Sequence, residues 1–176
     1  YGAVYFLCNM LNADGKEIDG KRVAVSGAGN VAIHVAEKAL SLGAVPTTLS
    51  NRKGTLLKED GLSADDIETV KERGDGDLAG IADAVSAKWL ENEKPWSTGC
   101  EIAVPSATQN ELEEDDAEKL VDSGCEYVVE ADGMAGSGSV DTVELVVDGE
   151  TGRVLRKVGS DLSGEEIFDD FGMAFV

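Results

Sequence analysis

Between Arg22 and Leu42 the chain passes from a short apolar run, Arg22-Val23-Ala24-Val25-Ser26, through Gly27-Ala28-Gly29 into a segment with apolar residues at helical spacing, Val31, Val35, Ala39 and Leu42. Gly43 is a natural helix terminator. A strand, a glycine turn and a helix in that order leave few options for the fold. Within the turn, Gly27-x-Gly29-x-x-Ala32 assigns each small residue a task. Gly27 allows the tight bend, Gly29 lets a ligand approach the backbone, and Ala32 lets helix and strand pack closely. The start of such a helix presents unpaired N–H groups and the positive end of a dipole, which suit a phosphate. The pattern points to the pyrophosphate of a dinucleotide. Its competing explanation is a glycine turn that only joins strand to helix.

The remaining chain repeats the alternation. Tyr1 to Leu11 is expected to be helical, with Val4, Leu7, Cys8 and Leu11 on its apolar face. Val45 to Leu49 reads as a second strand despite Pro46 near its start, and Leu56 to Asp60 as a short extended piece. Ser63 is a candidate N-cap, with Asp66 at the capping-box position, for a helix over 65–73. Helices are also expected over 78–88 and 113–123, and strands over 101–105 and 127–131. Strands and helices in alternation predict an α/β, Rossmann-like, doubly wound and mostly parallel sheet. Gly136 to Ser139 reads as a linker, 143–158 as a hairpin around Asp148-Gly149-Glu150-Thr151-Gly152, and 165–171 as a short final helix. Two units follow: a dinucleotide-binding domain over 1–135, and a linker with a hairpin tail over 136–176. The Gly-Ser stretch is compatible with a natural loop or an engineered join.

The end of the second strand bears on which dinucleotide fits. Sites for NAD usually place a carboxylate there for the ribose hydroxyls. This chain has Ser50-Asn51-Arg52-Lys53 instead. Adjacent cations, with the hydroxyl and amide donors of Ser50 and Asn51, favour a 2′-phosphate, and with it NADP. A solvated basic turn is the alternative.

That turn stands out because the chain has 35 acidic residues against 15 basic ones, a net charge of -20. Such a charge repels nucleic acid and anionic membrane surfaces. It suits a cytoplasm rich in salt, where screening relieves self-repulsion, and a salt-loving source is the corresponding hypothesis. An ordinary acidic protein is the plainer one. No apolar run is long enough to span a membrane, and no secretory signal is visible. Cys8, Cys100 and Cys125 are far apart in sequence and match neither a disulfide framework nor a zinc site, so reduced, mostly buried thiols are expected. His34, the one histidine, falls on the outer side of its helix. A chain of 176 residues that opens without Met is compatible with a fragment of a longer protein.

Several spaced segments then coincide with a known family. They are Tyr1-Gly2-Ala3-Val4-Tyr5-Phe6, Val25-Ser26-Gly27-Ala28-Gly29-Asn30-Val31-Ala32, Thr48-Leu49-Ser50-Asn51, Lys94-Pro95-Trp96 and Pro105-Ser106-Ala107-Thr108-Gln109-Asn110-Glu111-Leu112. From Tyr1 to about Met134 the chain resembles the carboxy-terminal coenzyme-binding domain of the NADP-dependent glutamate dehydrogenases. The resemblance implies reversible conversion of glutamate and NADP to 2-oxoglutarate, ammonia and NADPH, in a homo-oligomer that is usually a hexamer. It places the pyrophosphate at Ser26, Gly27, Gly29, Asn30 and Val31. It places the adenosine ribose and 2′-phosphate at Ser50 and Asn51, with Arg52 and Lys53 nearby. Ala107, Thr108, Gln109 and Asn110 would line the cleft towards the nicotinamide. Asn51 stands where many relatives have Asp, a change that favours phosphate.

Other departures matter more. Relatives have Glu-Gly-Ala-Asn-Met-Pro where this chain has Glu130-Ala131-Asp132-Gly133-Met134-Ala135, and the tail does not match the family. The family's catalytic lysine and aspartate lie in an amino-terminal substrate domain, no part of which is in this sequence, so the chain alone is expected to be inactive. Two alternatives stay open: a non-catalytic or engineered Rossmann-like binding module, and an NAD-dependent dehydrogenase of branched or aromatic amino acids. Trp96 fits either a loop near a domain hinge or packing at a sheet edge. Cys100 is more readily a packing residue than a reactive one. The acidic run from Glu111 to Asp116 is better explained by a helix dipole and solvation than by a metal, and no metal is expected.

Overall fold

The computed structural model describes residues 2–108, 111–129, 131, 144–147 and 154–158. Its elements are α1 (Gly2–Ala13), β1 (Arg22–Val25), α2 (Asn30–Ser41), β2 (Val45–Asn51), β3 (Gly54–Leu57), α3 (Ala64–Arg73), α4 (Leu78–Ala84), β4 (Lys88–Glu91), β5 (Ile102–Val104), α5 (Glu114–Asp122), β6 (Tyr127–Val129), β7 (Glu144–Val147) and β8 (Val154–Val158). Single 3-10 turns lie at Asp75–Asp77 and Pro95–Ser97.

The sheet runs in the order β4-β3-β2-β1-β5-β6-β7-β8. The central strands β2, β1, β5 and β6 are mutually parallel, as the alternation of strands and helices predicts. Antiparallel strands extend both flanks, β3 and β4 on one side and β7 and β8 on the other. The expected hairpin is present as β7 paired with β8. Its turn, the Gly-Ser linker and the final helix lie outside the described residues.

Successive side chains of a strand point to opposite faces, and here they build two cores. Val23, Val25, Ile102, Val104 and Val129 join the larger one, under α1, α2, α3 and α4. Ala24, Ala103 and Val128, one position away, join the smaller, with Trp96, Leu120 and Cys100. Helical cover on both faces is the doubly wound arrangement. Each large apolar side chain withdrawn from water stabilises by about 1.5–3 kcal/mol, and Leu7, Leu11, Leu49, Ile67, Leu78 and Ile102 are among those fully withdrawn.

Local signals explain several boundaries. Ser63 and Asp66 form the reciprocal capping box at the start of α3. Pro46, which has no N–H to donate, sits beside a register shift between Val23 and Ala24. Thr48 mends the ladder there: its hydroxyl accepts from the Val25 N–H at 2.9 Å and donates to the Val25 carbonyl at 3.0 Å. On α2 the covered face is Ala32, Ile33, Val35, Ala36 and Ala39, while Val31 and Leu42 are half-exposed, so the inward face is turned slightly from the expected one. His34 is exposed.

The helix expected over 78–88 is a correction. α4 stops at Ala84, Ser86 takes a left-handed φ of 58°, and Lys88 begins an edge strand. Gly54 makes room for that strand, because a Cβ there would lie 2.3 Å from the Leu90 carbonyl oxygen. The thiols are free and mostly buried, as expected. Cys100 and Cys125, 25 positions apart in sequence, meet in the smaller core, while Cys8 is half-exposed. Among the described residues, no helix is long and apolar enough to cross a membrane.

Candidate functional site

A cleft of about 1020 Å³ opens at the carboxyl ends of β1, β2 and β5. This is where an open α/β sheet changes winding direction and ligands usually bind. Its floor is the glycine turn. Gly27 has φ 82°, and a Cβ there would lie 3.1 Å from the Ser106 carbonyl oxygen and 3.2 Å from the Ala107 Cα. Left-handed backbone and close approach together demand glycine. Gly29 differs: its φ is -79°, and a Cβ would meet nothing within 4 Å. The space beside it is open.

α2 begins at that open space. Its N-cap is Gly29, no side chain caps it, and no acidic residue stands in its first turn. The free N–H groups and dipole of the first turn therefore face the cleft with no acidic side chain from the helix's own first turn. Asn30 is exposed and Val31 half-exposed, and both line the cleft.

The Ser50-to-Lys53 turn forms one end of the cleft. Ser50 is buried, and its hydroxyl accepts from the Gly27 N–H at 2.9 Å. The Asn51 carboxamide oxygen accepts from the Lys53 N–H at 2.8 Å, and its amide donates to the Asp75 carbonyl at 2.7 Å. Both side chains shape the loop. Arg52 and Lys53 are exposed, and among the described residues neither side chain has an acidic partner. Lys16, Lys21, Lys58, Lys71, Arg73, Lys88 and Lys94 each have one.

Ser106, Ala107 and Thr108 follow β5 and form the facing wall. Gln109 and Asn110 lie outside the described residues, as does Glu130 with the run from Asp132 to Ala135; Ala131 is buried. Lys94 and Pro95 line the cleft, whereas Trp96 is fully buried in the smaller core. The indole packs against the central strands β1, β5 and β6 rather than at the expected sheet edge. The Trp96 Nε1 has no hydrogen-bond partner among the described residues.

Glu111 is a cleft residue that the motif reading did not single out. The acidic run splits by task. Glu113 and Asp116 form the capping box of α5. Glu111 precedes the helix and turns into the cleft wall, where its carboxylate accepts from the Ser26 hydroxyl at 2.6 Å and from the Ala107 N–H at 3.3 Å. The Ser26 oxygen in turn accepts from the Ser106 N–H at 2.9 Å. Burial raises the Glu111 pKa above that of an ordinary glutamate, against the pull of Ser26, Ala107, Thr108 and Lys94. Its place one residue beyond Asn110 was the available signal. Among the described residues, no group of three or more potential ligands is gathered for a metal.

The Cys100 thiol is held below its ordinary pKa, chiefly by the hydrogen bond with Cys125, which outweighs burial. That bond, with burial, pushes Cys125 far up. Cys125 donates to the Tyr127 carbonyl at 3.3 Å.

Comparison with known proteins agrees with this architecture. The model of the Glutamate/Leucine/Phenylalanine/Valine dehydrogenase family matches residues 1–138. An NADP-specific glutamate dehydrogenase from a Psychrobacter species is 48% identical over 136 residues, covering 76% of this chain and 30% of that protein. The NADP-specific enzyme of Helicobacter pylori is 34% identical over 185 residues, covering 98% of this chain and 41% of its own length. Among solved structures, Plasmodium falciparum glutamate dehydrogenase superposes with a TM-score of 0.70 at 32% identity, covering 78% of this chain and 30% of that one. The chain thus spans about a third of the length of the first curated relatives it matches. With most of its length matched by the family model, the chain belongs to the Glutamate/Leucine/Phenylalanine/Valine dehydrogenase family.

Proposed function

We propose that this chain is the carboxy-terminal coenzyme-binding part of a glutamate dehydrogenase and that its cleft takes NADP. One observation carries the reading: the uncapped start of α2 and the pair Arg52 and Lys53, which has no acidic partner among the described residues, share a single cleft. A dinucleotide phosphate has its negative charge at the pyrophosphate and at the 2′-phosphate, and the cleft sets a helix start and a cationic pair at two matching places, with Asp75, Glu93, Glu111 and Glu113 elsewhere on its lining. The open space beside Gly29 fits the first group. Arg52 and Lys53 fit the second, on a loop that Ser50 and Asn51 hold in shape.

Gly27, Gly29, Asn30 and Val31 would hold the pyrophosphate, while Ser26, fully buried and bonded to Glu111 and Ser106, would hold the turn rather than the ligand. Ser50, Asn51, Arg52 and Lys53 would hold the adenosine end. Ala107 and Thr108, with Gln109 and Asn110, would lead towards the nicotinamide. The cofactor, when bound, supplies hydride chemistry, and these residues bind and orient it. The relatives named NADP-specific support the choice of cofactor. Glutamate and 2-oxoglutarate are partners only together with a substrate domain, in a cytoplasmic homo-oligomer.

Titration of the chain with NADPH and with NADH, at low and at molar salt, tests the proposal. NADPH is expected to bind at least about tenfold more tightly, a difference of about 1.4 kcal/mol. Joint replacement Arg52→Ala and Lys53→Ala should erase the preference. Equal affinities, or no binding to a folded chain, overturn it.

A further inference from the structure

We propose that Glu111 takes up a proton when the dinucleotide enters the cleft, so that cofactor binding is proton-linked. The inference rests on the reading of the cleft as the NADP site.

Its basis is where the carboxylate sits. Glu111 shares the cleft wall with Gly27, Gly29 and Asn30, and its hydrogen bonds tie Ser26 at the end of β1 to Ala107 beyond β5. It is thus fixed beside the glycine turn and cannot swing away without breaking the join between these two strand ends. Ser26 supports it from below, and Ser106 supports Ser26.

The surrounding charges determine what happens when an anion arrives. The loop after β4 contributes Lys94, which lowers the Glu111 pKa, and Glu93. The start of α5 contributes Glu113. Lys94 is already committed to Asp116 at 2.7 Å. The first turn of α2 has no acidic residue, and neither Ser26 nor Ser106 to Thr108 has a charge. Glu111 is therefore weakly compensated, and burial already disfavours its anion.

A pyrophosphate adds negative charge and displaces water from the cleft. Both effects penalise the carboxylate further and raise its proton affinity. The proton comes from solvent. Protonated Glu111 keeps an acceptor for Ser26 and gains one O–H donor. The sign follows from linkage: the bound state holds more protons than the free state between the two Glu111 pKa values. Affinity therefore falls as pH rises through that window, by up to about tenfold per pH unit for one proton.

The test is calorimetric titration of the whole chain with oxidised NADP, at slightly acidic pH, in two buffers of different ionisation enthalpy. The wild type is expected to take up a fraction of a proton per cofactor beyond any uptake seen with Glu111→Gln. That variant isolates Glu111 because both proteins meet the same titrating 2′-phosphate. Equal proton counts in the two proteins overturn the proposal while leaving the site standing. If NADP does not bind to folded wild type, the reading of the cleft fails, and this proposal with it. Should Glu111→Gln not fold, the infrared difference spectrum of the wild type on binding decides: a new protonated-carboxyl band supports the proposal, and its absence overturns it.

Discussion

Lys94 and Asp116 join the cleft wall to the smaller core: the Lys94 ammonium lies 2.7 Å from the Asp116 carboxylate, whose side chain is only 4% exposed. The same carboxylate accepts from the Glu113 N–H at 3.1 Å as part of the α5 capping box. Asp116→Ala removes both contacts and leaves two donors without their acceptor. It should lower unfolding free energy by about 1–3 kcal/mol in a denaturant titration. Lys88→Met, which breaks the largely exposed pair with Glu59, should change it by less than about 0.5 kcal/mol. Equal losses would contradict the distinction.

The two glycines of the turn should separate folding from binding. Gly27→Ala forces a side chain onto left-handed backbone and against Ser106, with an expected cost of about 1–3 kcal/mol. Gly29→Ala meets no atom within 4 Å and has an ordinary φ, so thermal stability should stay near wild type. Its methyl would stand in the proposed phosphate space, and NADPH affinity should fall at least about tenfold. Wild-type affinity in Gly29→Ala would place the pyrophosphate elsewhere.

Two carboxyls should shape acid behaviour in opposite senses. For Asp66, burial opposes the charged form, but bonds from Lys58 and Ser63 together outweigh it and the net pKa is lowered. Its stabilising contribution is present above the unfolded pKa and is lost as pH falls through the folded one. The raised pKa of Glu111 has the reverse effect: the folded chain holds more protons, so stability declines as pH rises from the ordinary glutamate value through the folded one. Asp66→Asn should flatten the stability curve at its acid end, and Glu111→Gln should flatten it at higher pH. Denaturant midpoints measured from pH 3 to 7 check both, on the scale set by ordinary carboxyl pKa values of about 4.

Thiol accessibility should divide the cysteines. Cys8 is half-exposed and should react with iodoacetamide in the folded chain, slowly, because burial raises its pKa despite Lys38 nearby. Cys100 and Cys125 should be labelled only after denaturation, as peptide mass spectrometry would reveal. Rapid labelling of Cys100 in the native state would mean that the smaller core opens readily.

A net charge of -20 on 176 residues should make stability depend on salt. Screening at molar ionic strength shortens the reach of repulsion to about 3 Å. The melting temperature is expected to rise by several degrees between low and molar salt. A fall would show that attractive pairs such as Lys58–Asp66 dominate instead.

The features legible in sequence were those set by local chemistry. Gly27 and Gly29 announce a turn through backbone freedom, and Ser63 with Asp66 announces a helix start through reciprocal bonds. The central strands are apolar enough to be recognised. β4 was not, because its exposed and half-exposed residues show no alternation and it forms only where Gly54 admits it. The meeting of Cys100 with Cys125 and of Glu111 with Ser26 depends on which strands become neighbours, which residue spacing does not encode. Ser50 and Asn51 read in sequence as donors to a phosphate; that Ser50 accepts from Gly27 and Asn51 donates to Asp75 emerges only when those distant segments lie beside β2.

Arg52 and Lys53 occupy the link between β2 and β3, where Asn51 pairs with Gly54 in antiparallel register. Their backbone is clamped from both sides, while their side chains contribute nothing to either core. Identity at these two positions is consequently decoupled from foldability. In the proposed site such a link is an interchangeable adaptor: a lineage, or an engineer, could exchange these residues to retune which nucleotide is admitted, while the sheet beneath stays under separate selection.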